Sequence, residues 1–245
     1  MWLKGIFSDK EFVKKLICIA LYFLISMVLA EPIALLLRSI FSNMDIYSFS
    51  ILFECVVYLI IFVITVLLMK NEFLVGIKPL KRKSAGSSII EVLVGCAIVY
   101  GSMYAGTLIT TALGGSGDSA NQEGIIAMLS IPAGAFMIPV LCVLGPIVEE
   151  LVFRGAIQGG LEKLRVPRLL CVAVAGTLFG LIHVIGAGDF VQLPSYLITG
   201  LAFGFIYYRS ENIYVPISVH IIWNCISTWS VYIVMFLEKL GFTIA

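Results

Sequence analysis

Six side chains in the second half of this 245-residue chain have the types and spacing that hydrolysis of a stable acyl bond requires. Glu149 and Glu150 are adjacent carboxylates, and Arg154 follows Glu150 by four residues. His183 closes Phe179-Gly180-Leu181-Ile182-His183, and His220 opens His220-Ile221-Ile222-Trp223-Asn224. Each of these i,i+4 pairs lies on one face of a helix. Glu150 and Arg154 can therefore form an ion pair that keeps Glu150 charged. Glu149, about a quarter-turn away, is left to bind water and take a proton. A base, an orienting partner and donors for an oxyanion are the parts such chemistry needs.

The bland readings differ in strength. A Glu–Arg pair can simply tie helices together, but a second adjacent carboxylate is surplus to that pair. A lone buried histidine is more often a satisfied hydrogen-bonding group than a catalyst. Here, however, the only two histidines both fall inside apolar runs.

Those runs must position the site. The chain is 60% hydrophobic and 13% charged, with a mean hydropathy of +1.07, whereas soluble domains carry roughly 25% charged residues. Each long apolar run suffices for a helix across a ~30 Å hydrocarbon core. We read seven spans: 16–38, 46–69, 89–112, 133–161, 169–187, 190–208 and 213–237. An amphipathic stretch, Gln122 to Ser130, precedes the fourth, and Pro132 and Pro139 can bend or break that span, so an interfacial helix is expected ahead of it. The expected fold is an all-α polytopic bundle forming one transmembrane domain, 1–245, with motif-free helices over 1–112 and a motif-bearing core over 125–230.

The basic residues orient it. Lys4, Lys10, Lys14 and Lys15 precede span one; Lys70, Lys78, Lys81, Arg82 and Lys83 follow span two. Lys163, Arg165 and Arg168 follow span four, and Arg209 follows span six. All lie on one side, which is cytoplasmic by the positive-inside rule, as is the N-terminus. Only Arg38 and Lys239 fall opposite, and Arg154 lies within a span. The start of the chain is not read as a signal peptide, because Asp9 and Glu11 interrupt its basic segment and apolar character resumes after Glu31-Pro32. The six cysteines are spread one each over six spans, as small buried hydrophobes rather than disulfides or a zinc cluster.

Intramembrane charges cost roughly 2.5–3.5 kcal/mol each on insertion scales, so three within six positions of one span demand a reason. Depth supplies one. At ~1.5 Å per residue from the cytoplasmic end of each span, Glu149 lies ~20 Å deep, His183 ~21 Å, Asn224 ~18 Å, and Arg154 and His220 ~13 Å. Three helices can bring these groups to one level, and a cavity open to the cytoplasm is expected to deliver water to them.

Glu149-Glu150-x-x-x-Arg154, Phe179-x-x-x-His183 and His220-x-x-x-Asn224 together resemble the three motifs of the CPBP (CAAX protease and bacteriocin-processing, or Abi) intramembrane endopeptidases, similar to the type II CAAX prenyl endopeptidases. The resemblance covers roughly residues 125–230 and is complete in residue type, spacing and order. It implies an intramembrane protease in which Glu149 activates water with help from His183, His220 and Asn224 stabilise the oxyanion, and Glu150 and Arg154 support them. Phe179 becomes a candidate for substrate contact. The resemblance also implies a peptide or membrane-protein substrate within the lipid bilayer, with no nucleic acid, in a multi-pass protein of a bacterial plasma membrane. A bacteriocin leader or signalling peptide is the expected kind of substrate. No cofactor is expected. Zinc is the alternative, since two histidines and a glutamate would suffice for it, although His-Glu-x-x-His is absent.

Other patterns carry less. Gly114-Gly115-Ser116-Gly117 spells a rhomboid-type Gly-x-Ser-Gly, but it lies in a polar outer loop ahead of both histidines and reads as a linker. Asp189 in Gly186-Ala187-Gly188-Asp189 has no intramembrane aspartate partner and reads as a turn. Glu31 and Glu91 sit near interfaces, and Glu54 is deeper with an accessory packing role. The functional alternatives are a non-catalytic scaffold, immunity or regulatory protein of the same family and, more remotely, a proton-coupled transporter.

Overall fold

A computed structural model describes residues 8–74, 85–115 and 118–242. Among these the chain is helical throughout its regular structure, and seven helices are long and apolar enough to cross a membrane. They are α1 (Lys10–Ile40), α2 (Ile46–Leu68), α3 (Ala85–Ala112), α5 (Pro132–Lys163), α6 (Arg168–Ile185), α7 (Phe190–Ser210) and α8 (Tyr214–Lys239). A shorter helix, α4 (Ala120–Leu129), stands before α5. The seven spans and the all-α bundle expected from hydropathy are therefore present, and the protein is a multi-pass membrane protein. Lys4, Lys78, Lys81, Arg82, Lys83, Ser116 and Gly117 lie outside the described residues.

Local chemistry sets the ends of these helices. The Asp9 carboxylate accepts from the Glu11 and Phe12 amides at the start of α1, and Asp45 does the same for Tyr47 and Ser48 at the start of α2. Such oxygens satisfy amide donors that a helix N-terminus leaves free. Ser119 caps α4 through the Gln122 amide. The Asp189 carboxylate, in the α6–α7 turn where the sequence placed it, accepts from the Ala120 amide.

α5 is the irregular member and lies at the centre. The two prolines act where expected: Pro132 opens a 3₁₀ stretch to Met137, and Pro139 precedes a π-helical turn, Val140–Leu144. After α-helical Gly145–Glu150, a second π stretch runs from Leu151 to Gln158. Every residue of that stretch is buried, between α1, α6, α7 and the end of α5 itself. π-helical turns widen a helix and recur at functional sites; this one begins directly after the paired glutamates.

α6 and α7 pack closely enough that a Cβ at Gly200 would lie 2.5 Å from the Gly176 carbonyl oxygen. Small residues permit that approach in a membrane, where helix association depends on backbone proximity rather than on a hydrophobic driving force. The approach also presents the Gly200 carbonyl to α5.

Candidate functional site

A cavity of about 970 Å³ penetrates the bundle and is lined by Glu149, His183, His220 and Asn224 together. Glu149 is the more open of the two adjacent carboxylates, its side chain 14% exposed against 0% for Glu150. α5 and α8 place His220 between them. Its Nδ1 is 2.8 Å from Glu150 Oε1, and its Nε2 is 3.7 Å from Glu149 Oε2. Carboxylate Glu150 accepts, so His220 Nδ1 carries the hydrogen and Nε2 faces Glu149.

Behind this layer Glu150 and Arg154 are completely buried, with Arg154 Nε 3.2 Å from Glu150 Oε2. Neither atom has an aligned hydrogen-bond partner, so the contact is one of charge. Arg154 gains a hydrogen bond from its guanidinium to the Gly200 carbonyl at 2.9 Å and lies over the Phe179 ring at 4.7 Å and the Phe203 ring at 5.3 Å. Cation–π contacts of this kind strengthen when desolvated.

His183 stands apart from the carboxylate cluster. Its Nδ1 donates to the Phe179 carbonyl oxygen, 2.7 Å away, because a carbonyl can only accept. The Asn224 carboxamide donates to the Leu141 carbonyl at 2.9 Å, which leaves its second N–H. Phe179, expected to meet substrate, is 3% exposed, and its ring packs against Arg154, His183, Phe203 and His220. Thus Glu149, Glu150, Arg154 and His220 form one contact network, with His183 and Asn224 on the same cavity through separate contacts. The imidazole that touches Glu149 is His220.

The cavity does not open where depth counting suggested. Thr111, Ser119, Gln122, Gly186 and Gln192 line its outer part, and all belong to the end of the bundle opposite the lysines, the outer face by the positive-inside rule. None of its described lining residues comes from the lysine-rich helix ends. Ile157 and Gln158, which follow Arg154 toward the lysine-rich end, are buried in the π stretch. The lining thus extends toward the outer face, not toward the cytoplasmic face from which water was expected. Counting residues along a helix gives depth but not the end of the bundle toward which a cavity runs.

Several neighbours were missed. Tyr22 and Tyr58 line the cavity together with Glu149. Glu54, one turn before Tyr58, also faces the cavity, and no hydrogen bond or ion pair joins it to another described residue. Tyr196 stacks on His183. Lys15, counted among the cytoplasmic basic residues, is buried instead: its Nζ contacts Glu72 at 2.6 Å and donates to the Gly155 carbonyl in the π stretch at 2.7 Å. Glu54 had a signal in its intramembrane charge, whereas nothing in the spacing of the tyrosines distinguishes them from ordinary interface aromatics.

As to zinc, among the described residues no three of His, Cys, Asp and Glu converge closely enough to hold a metal ion. Both His220 nitrogens and one His183 nitrogen already face protein groups. The donor set as arranged does not fit the two-histidine, one-glutamate site.

Fold and cavity together define a polytopic membrane protein with a buried acid–base cluster reached from one side. Residues 131–226 match the family model described as "Type II CAAX prenyl endopeptidase Rce1-like". The chain is 30% identical to the "Putative membrane peptidase YdiL" of Bacillus subtilis over 145 residues, 59% of this chain and 57% of that protein. It is 31% identical to the "Membrane-embedded CAAX protease MroQ" of Staphylococcus aureus over 135 residues, 54% of this chain and 53% of that protein. The match thus spans little more than half the length of these curated relatives. No solved structure matches the chain. The resemblance carried by the three motifs is borne out, and these relatives are bacterial membrane proteins.

Proposed function

We propose that the protein is an intramembrane endopeptidase that hydrolyses a peptide bond with a water activated by Glu149. One observation carries the reading: Glu149 faces the cavity in contact with His220, while its neighbour Glu150 is locked behind it by Arg154 and the same imidazole. The two carboxylates are thereby divided into a free one and a structural one, which a purely structural salt bridge does not require.

In this mechanism water enters from the outer mouth and lies between Glu149 and His183 Nε2, the nitrogen left bare by the Nδ1–H bond to Phe179. The water oxygen attacks the peptide carbonyl carbon as one of its protons passes to Glu149. The spare Asn224 N–H donates to the developing oxyanion, with His220 held beside it by its bond to Glu150. Collapse breaks the C–N bond, and the proton held by Glu149 passes to the leaving amine. Glu150 and Arg154 orient His220 and the α5 backbone. The substrate is a peptide or membrane-anchored segment that reaches the cavity from the bilayer or its outer surface, in keeping with relatives named as membrane peptidase and CAAX protease.

The test compares peptides released by cells carrying wild-type protein with those released by cells carrying Glu149→Gln. Products present with the first and absent with the second support the assignment. Identical peptide profiles at equal protein levels refute it. Activity of purified protein with and without a chelator decides between the metal-free mechanism and the zinc alternative.

A further inference from the structure

We propose that Tyr196 is the positioning residue for His183, holding its imidazole in the Nδ1–H tautomer and tying that orientation to the docking of α4. His183 is held at three points. Its Nδ1 donates to the Phe179 carbonyl at 2.7 Å. One side of the ring meets the Phe179 ring, tilted, at 4.6 Å between centroids. The Tyr196 ring stacks on it at 4.7 Å with an interplanar angle of 17°.

Phe179 supplies two of these points from the same helix, one turn earlier. Tyr196 is the contact that comes from another helix, and an i,i+4 contact alone leaves the imidazole free to swing about its side-chain torsions toward the 970 Å³ cavity it faces. A stacked ring from α7 closes that direction. The consequence is chemical: while Nδ1 keeps its hydrogen on Phe179, Nε2 stays bare toward the cavity and can only accept.

The Tyr196 hydroxyl makes a second connection. It hydrogen-bonds to Ser119 Oγ and accepts from the Asn121 carboxamide at 3.4 Å. Ser119 is the N-cap of α4, whose first turn is also held by Asp189. Ser119, Gln122 and Ile125 line the outer part of the cavity. Displacement of α4 at the mouth would therefore pull on the residue that braces His183. The value of a bare Nε2 rests on the hydrolase reading, but the positioning itself does not.

Because the chain holds only two histidines, the test is direct: ¹⁵N-histidine spectra of the full-length protein in lipid nanodiscs, with His183 assigned by the loss of its signals in His183→Gln. Wild-type protein is expected to favour the Nδ1–H tautomer at His183 by roughly tenfold, the factor a single buried hydrogen bond commands. Tyr196→Leu removes ring and hydroxyl and is expected to lower that ratio at least ~3-fold. Tyr196→Phe keeps the stacking and loses the tie to α4, so the ratio stays within ~2-fold while backbone amide exchange in α4 quickens. Ser119→Ala reproduces the Tyr196→Phe result. The His220 signals, fixed by Glu150, are expected to stay unchanged in every variant and report that the site is folded. An unchanged His183 tautomer ratio in Tyr196→Leu overturns the positioning role, and unchanged α4 exchange in Tyr196→Phe overturns the coupling. A wild-type spectrum with Nε2–H at His183 overturns both. Should Glu149→Gln prove silent on peptide release while these spectra behave as expected, the hydrolase reading fails and the positioning stands.

Discussion

Replacing Glu150 by leucine leaves the Arg154 guanidinium buried without its counter-ion. Arg154 and Glu150 are both 0% exposed, so water cannot replace the lost partner, and breaking a buried ion pair from one side costs about 3–5 kcal/mol. Arg154 keeps the Gly200 carbonyl and the faces of Phe179 and Phe203, which points to the lower end, about 3 kcal/mol. The substitution also removes the acceptor of His220 Nδ1, adding about 1 kcal/mol. Glu150→Leu is therefore expected to lose about 4 kcal/mol. Adding Arg154→Met replaces the pair by apolar groups of similar volume and returns about 3 kcal/mol, since apolar substitutes for buried pairs are often neutral. Equilibrium unfolding in mixed micelles, run as a double-mutant cycle, measures this directly. Coupling near zero, with the double variant no more stable than the sum of the single losses, would refute the claim that Glu150 holds the charge of Arg154. A stable double variant is expected to remain inactive, because His220 has lost its anchor.

Glu149→Gln is expected to reduce peptide cleavage roughly 100- to 10,000-fold, the range for loss of a general base, while leaving unfolding within about 1 kcal/mol of wild type. In a cysteine-free background, Thr111→Cys at the outer mouth is expected to react with a membrane-impermeant maleimide on intact cells, whereas Glu162→Cys reacts only after permeabilisation; the reverse pattern would invert the proposed entry. Gly200→Ala brings a methyl group against the Gly176 carbonyl and should cost about 1–3 kcal/mol by overpacking, with a loss of activity as the Arg154 acceptor shifts. The Asp9 carboxyl, hydrogen-bonded to Lys163, is held below the ordinary carboxylate range. Its contribution is present above the unfolded-state pKa and is lost as the pH falls below about 4; Asp9→Asn should remove that part of the acid dependence, read from unfolding at pH 3–7.

Seven spans and the all-α class were legible in the residue order because a bilayer imposes length and apolarity on every crossing helix, although the first helix begins at Lys10, six residues before the expected start. The three i,i+4 pairs were legible for a related reason: helical periodicity alone places Glu150 beside Arg154, and the 3.2 Å contact follows. Contacts between helices were not legible. That His220 lies between both glutamates, that the Phe179 ring packs on Arg154 and both imidazoles, that Tyr22, Tyr58 and Tyr196 line the cavity, and that Lys15 reaches the Gly155 carbonyl depend on rotations and separations of spans far apart in the chain. The end of the bundle toward which the cavity lining runs depends on how α5 packs against the other helices. Periodicity along one helix carries no information about its neighbours' side chains, so these features exist only once the bundle is assembled.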